Sequence, residues 1–133
     1  MAYVRALLMR TPLAIVRGLG SAKKGTGEFI ALRLTSVALS FLTIAFIWII
    51  VSLNGAPYPV VAATLSSPFA AIVLIAGILA TVVHMRIGMQ VIIEDYIHGA
   101  FAKLSLLTLN WLFSWGVGLV ALFAVLKLAF GGG

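Results

Sequence analysis

Between Leu34 and Met85 the chain carries no Asp, Glu, Lys or Arg, an unbroken run of 52 residues. One bilayer crossing takes about 20 apolar residues, so a run of this length must hold two spans. The Pro, Gly and Ser-rich segment Asn54–Pro68, "NGAPYPVVAATLSSP", divides them, because Pro57, Pro59 and Pro68 remove backbone donors and stop a helix. Spans are therefore expected over residues 29–53 and 69–93. "EDYIHGAFAK", from Glu94 onward, reads as a short polar turn. Leu104–Leu126 is again uncharged and long enough to cross, with Asn110, Trp111, Ser114 and Trp115 in its first half. The pattern predicts an all-α membrane protein of three transmembrane helices, the third over 104–126. Residues 1–28 form an N-terminal arm and residues 29–133 the membrane domain. The final Gly131–Gly133 reads as a frayed end.

Composition agrees with the pattern. A chain of 133 residues that is 63% hydrophobic and 9% charged, with a mean hydropathy of +1.22, cannot fold in water without a large exposed apolar surface. The only acids are Glu28, Glu94 and Asp95, and the net charge is +6. Basic groups spaced around apolar spans serve topology, so nucleic acid is not an expected partner. Without cysteine, thiolate metal sites and disulfides are excluded.

The placement of charge sets an expected orientation. Arg5, Arg10, Arg17, Lys23, Lys24 and Arg33 precede or open the first span, Lys103 lies in the second connection, and the first connection has none. The N-terminus and second connection should be cytoplasmic and the C-terminus periplasmic. Lys127 opposes this mildly, but near a helix end it can snorkel to the interface. Pro12, Gly18 and Gly20 interrupt the N-terminal segment before any continuous apolar core forms, which argues against a secretory signal. The alternative is a mitochondrial-type transit peptide, since the segment is Arg-rich and poor in acids.

The densest candidate chemistry is "HMRIGMQVIIEDYIH", residues 84–98. At about 100° per residue, His84, Gly88, Val91 and Asp95 share one helix face. A rise of about 1.5 Å per residue separates His84 from Asp95 by roughly 16 Å along the axis, one inside the hydrocarbon and the other near its surface. A neutral imidazole at that depth must hydrogen-bond, pair or bind a metal. Gly88, one turn on, removes a side chain where a broad flat group can approach the backbone. Two readings follow from spacing alone: an axial haem ligand, or a hydrogen bond to another helix. Asp95 and Tyr96, for their part, suit an interfacial anchor, and His98 a solvated interfacial histidine. Arg86 projects from nearly the opposite face and is expected to be paired. Trp48, Trp111 and Trp115 suit packing or an interfacial belt.

The stretch His84-Met-Arg-Ile-Gly88 through Asp95-Tyr96 resembles the second-helix signature of the small hydrophobic membrane anchor subunits of succinate dehydrogenase. "RTPLAIVRGLGSAKKGTGEF" resembles the N-terminal arm of alphaproteobacterial and mitochondrial-like members, and "LRLTSVALS" their Arg-x-Thr opening of the first span. The resemblance implies that His84 is one of two axial ligands to a haem b, the other coming from a second membrane subunit. It further implies that Arg33 lies near the haem propionates, and that Tyr96 donates to a ubiquinone carbonyl with Asp95 orienting the site or assisting proton uptake. Flavoprotein and iron–sulfur subunits are the implied soluble partners, since the chain has no Gly-rich dinucleotide fingerprint and no cysteine. The implied setting is a bacterial inner membrane, crossed several times. Competing readings are the anchor of a fumarate reductase, a small proton-conducting or transport subunit using His84, Arg86 and Asp95 as a relay, and a purely structural assembly subunit.

Overall fold

The structure is a computed structural model that describes residues 22–131. The charges of Arg5, Arg10 and Arg17, on which the expected orientation partly rests, lie outside the described residues. Among the described residues four helices follow in order: α1 over Ala22–Ser52, the short α2 over Tyr58–Leu65, α3 over Pro68–Tyr96 and α4 over Ala100–Phe130. Three are long and apolar enough to cross a membrane, with candidate spans Thr26–Ser52, Pro68–Tyr96 and Ala100–Phe130. At about 1.5 Å per residue the shortest of them is roughly 40 Å long, which exceeds a hydrocarbon core of about 30 Å.

The helix ends differ from the expected spans in an instructive way. Pro57, Pro59 and Pro68 open helices: Pro57 is the N-cap of α2, Pro59 falls in its first turn, and Pro68 begins α3 behind the Ser67 cap. Proline costs nothing there because the first backbone N–H groups of a helix have no intrahelical acceptor. What ends α1 is the turn at Asn54-Gly55, where Gly55 takes a φ of 77° that a side chain would oppose. At the other end of α3, the helix runs through Glu94, Asp95 and Tyr96, and the break is confined to Ile97–Gly99. Lys103 is helical, in the first turn of α4, and its Nζ donates to the Glu94 carbonyl at 3.0 Å. That bond satisfies one of the terminal carbonyls of α3.

The tightest packing joins α3 to α4, with α2 laid against both. Small and polar residues at four-residue spacing make the close approach possible. Gly118 is buried against Val82, and Ser114 is fully buried. The Asn110 amide donates from Nδ2 to the Arg86 carbonyl at 2.9 Å, and the Ser114 hydroxyl donates to Asn110 Oδ1 at 3.4 Å. Among the described residues little else is enclosed. Ile49, Ala70, Ala71, Val82, Ile87 and Ile93 are the buried apolar residues, whereas Phe41, Trp48 and Phe123 lie exposed on the outer faces.

Candidate functional site

His84 stands two residues beyond the midpoint of α3, within about 3 Å of it along the axis. Its ring is half-buried, and Nδ1 lies 3.1 Å from Thr35 Oγ1 on α1. The same hydroxyl lies 3.1 Å from the Leu32 carbonyl one turn back on its own helix. An imidazole that sequence reading left with several possible partners is thus tied through one nitrogen to a neighbouring helix. Nε2 is the nitrogen left for a ligand.

Gly88 lies one turn further along α3 on the same face. A Cβ built on it meets nothing within 4 Å, so among the described residues nothing fills the space over that backbone. Among the described residues, no group of three or more His, Cys, Asp or Glu converges to hold a bare metal ion. A haem brings four ring nitrogens to its iron and asks the protein for axial ligands only. One imidazole with a fixed Nδ1, beside an open glycine, fits half of that demand.

Arg33 is exposed on α1, half a turn before Thr35. Successive crossings run antiparallel, so stepping back from Thr35 to Arg33 is stepping from the level of His84 toward that of Asp95. Arg33 therefore sits on the Asp95 side of the imidazole. Arg86 is engaged through its carbonyl, by Asn110.

Asp95 and Tyr96 close α3 and are exposed, Tyr96 at 76%. Because α3 is continuous to Tyr96, the roughly 16 Å between the levels of His84 and Asp95 is a true helical rise. The structure does not bring the two ends of this stretch together. Tyr96 instead borders an apolar cleft of about 440 Å³ between α3 and α4, walled by Met89, Ile92, Leu106 and Leu109, with Asn110 also lining it. A second cleft of about 430 Å³ lies among all three long helices, with Thr43 and Thr81 the polar side chains among Leu42, Phe46, Ile78 and Phe113. On the last turn the Gln90 amide donates to Glu94 Oε1 at 3.0 Å. His98 is exposed in the break before α4.

Neither the contact of Thr35 with His84 nor that of Asn110 with the Arg86 carbonyl has a local signature in the chain. Thr35 stood in the Arg-x-Thr pattern without a task. A polar residue in an apolar span is the available signal, since lipid offers it no partner.

The chain is 29% identical to the succinate dehydrogenase hydrophobic membrane anchor subunit of Paracoccus denitrificans, over 91% of this chain and 93% of that one. It is 26% identical to the protein of the same name from Rickettsia bellii (strain RML369-C), over 66% of this chain and 70% of that one. Residues 8–127 match the family described as succinate dehydrogenase/fumarate reductase transmembrane subunit. With three helices of membrane-crossing length and a match over nearly its whole length, the chain belongs to the succinate dehydrogenase/fumarate reductase transmembrane subunit family.

Proposed function

We propose that this chain anchors a succinate:quinone oxidoreductase in a bacterial inner membrane, offering one axial ligand for a haem b and one wall of the site that reduces ubiquinone. The observation that carries the reading is His84: a half-buried imidazole at mid-helix, engaged at Nδ1 by Thr35, with open space over Gly88 one turn away. His84 Nε2 would hold the iron, Gly88 would leave room for the ring edge, and Arg33 would pair with a propionate by charge-assisted hydrogen bonds. When bound, the haem supplies a one-electron carrier within the hydrocarbon. The second axial ligand would come from another membrane subunit.

The quinone end rests on Tyr96 and Asp95. A phenol has an apolar body and a polar tip, which suits it to donate its O–H to a quinone carbonyl at the membrane surface. Asp95, adjacent on the same exposed turn, would orient that headgroup or hand on a proton as the carbonyls become hydroxyls. The apolar cleft bordered by Tyr96 offers an entry for the isoprenoid tail. Succinate would be oxidised in a flavoprotein subunit and electrons delivered through an iron–sulfur subunit. The N-terminus and second connection would face the cytoplasm, which puts Tyr96 beside those soluble partners. A proton relay between His84 and Asp95 is disfavoured because Gly88 and Val91 occupy the face between them.

His84→Ala in the purified complex tests the central assignment. The reduced-minus-oxidised haem spectrum should be lost or strongly diminished while the soluble subunits still co-purify. Retention of an unaltered low-spin spectrum would refute it.

A further inference from the structure

We infer that Thr35 is a positioning residue for His84, holding the imidazole in the tautomer that keeps Nε2 unprotonated. The inference rests on the haem-ligand reading of His84 and extends it to a residue on a different helix, 49 positions away.

Counting hydrogens fixes the tautomer. The Thr35 hydroxyl has one proton and lies 3.1 Å from two acceptors, the Leu32 carbonyl and His84 Nδ1. A neutral imidazole carries one N–H, on one of its two nitrogens. If the hydroxyl donated to Nδ1, the ring proton would sit on Nε2, and neither nitrogen could ligate a metal. If the hydroxyl donates to the Leu32 carbonyl, its oxygen is left to accept from Nδ1–H. Both contacts are then satisfied in one direction, imidazole to hydroxyl to carbonyl, and Nε2 keeps its lone pair.

Local geometry favours the second arrangement. The Leu32 carbonyl is three residues back on the same helix, a partner that a helical threonine reaches without moving its backbone. The carbonyl cannot donate, so it can only take the hydroxyl's proton. A ligating histidine almost always donates its other N–H to a fixed acceptor, which orients the ring and raises its basicity. Thr35 provides that acceptor where lipid would provide none.

The test compares Thr35→Val, Thr35→Ala and Thr35→Ser with the unaltered protein in the assembled complex, alongside His84→Ala. Haem retention against an apoprotein acceptor and the haem midpoint potential are measured, with co-purification of the soluble subunits as the assembly control. Thr35→Val and Thr35→Ala should hold haem about 10–100-fold more weakly, and their potential should rise, because an imidazole without an acceptor on Nδ1–H stabilises ferric iron less. Thr35→Ser should restore both readouts. Should Thr35→Val fail to assemble, Thr35→Ala, which adds no bulk, decides against Thr35→Ser. The inference is overturned if removing the hydroxyl leaves affinity and potential unchanged, or if Thr35→Ser is as defective as Thr35→Ala. If His84→Ala itself keeps its haem spectrum, the ligand reading falls and takes this inference with it; if His84→Ala loses haem while the Thr35 variants behave normally, only the role of Thr35 falls.

Discussion

Two glycines on α4, two residues apart, should respond to alanine with opposite signs. A Cβ at Gly118 would stand 2.6 Å from Val82 Cγ2 and 3.6 Å from its Cγ1, whereas a Cβ at Gly116 meets nothing within 4 Å. Contact between carbons is favourable at about 3.5–4.0 Å, so Gly118→Ala must displace Val82 or part the helices by about an ångström. Val82 cannot turn aside cheaply: it is buried, and a β-branched side chain in a helix has one strongly preferred rotamer. Overpacking of this kind costs about 1–3 kcal/mol. Against it stands the helix propensity gained on replacing glycine, about 1 kcal/mol. Steric cost outweighs propensity at 118, for a net loss of up to about 2 kcal/mol, and propensity wins at 116, where the change is neutral or stabilising. Denaturation of the purified complex by SDS titration in mixed micelles, read by the release of this subunit, should rank Gly116→Ala at or above the unaltered protein and Gly118→Ala below it. Val82→Ala should rescue Gly118→Ala in a double-mutant cycle with a coupling of about 1 kcal/mol or more. Equal stability of the two glycine variants, or no rescue, would refute the close approach of α3 and α4 at this level.

Tyr96→Phe keeps the ring and removes only the phenolic hydroxyl, so succinate oxidation with a soluble dye acceptor should be unchanged while quinone reductase activity falls about tenfold, the scale of one hydrogen bond of about 1.4 kcal/mol; an unchanged quinone rate would remove Tyr96 from the site. The absence of cysteine makes topology directly measurable. In intact spheroplasts, a membrane-impermeant maleimide should label Asn54→Cys in the first connection and spare His98→Cys in the second, and the reverse pattern would invert the proposed orientation.

What was legible in the chain was whatever a single segment decides for itself. The three crossings follow from the missing charges, because burying an ion in lipid is prohibitive whatever the neighbouring helices do. The ends were harder. Proline forbids the middle of a helix and welcomes its first turn, so Pro57, Pro59 and Pro68 show that a boundary is near without saying on which side the helix lies. Glu94 and Asp95 looked like a turn because they are charged, yet an exposed charge at the aqueous end of a span costs α3 little, and Lys103 closes its last turn. His84 stood out as a lone imidazole among apolar residues. Its contact with Thr35 did not, since which faces of α1 and α3 meet is set by tertiary register across 49 residues. The Asn110 contact with the Arg86 carbonyl was hidden for the same reason, spanning 24 residues.

The distribution of packing bears on why such a chain works as part of a complex. Lipid tails are as apolar as the side chains they touch, so helices in a bilayer gain nothing from hiding apolar surface and associate through close packing and hydrogen bonds. Here the close packing belongs to α3 and α4, where Gly118, Ser114 and Asn110 bring two backbones together. Between α1 and the other two long helices lies a cleft of about 430 Å³, and a hydrogen bond between Thr35 and His84 joins α1 to α3. An interhelical bond in a membrane protein averages about 0.6 kcal/mol. That is too little to fix a helix by itself, so the register of α1 depends on whatever else engages its exposed faces. On the proposed reading, partner helices in the assembled complex would hold α1 in register and strengthen its contact with the imidazole, so that ligand binding at His84 and docking of α1 would stabilise one another.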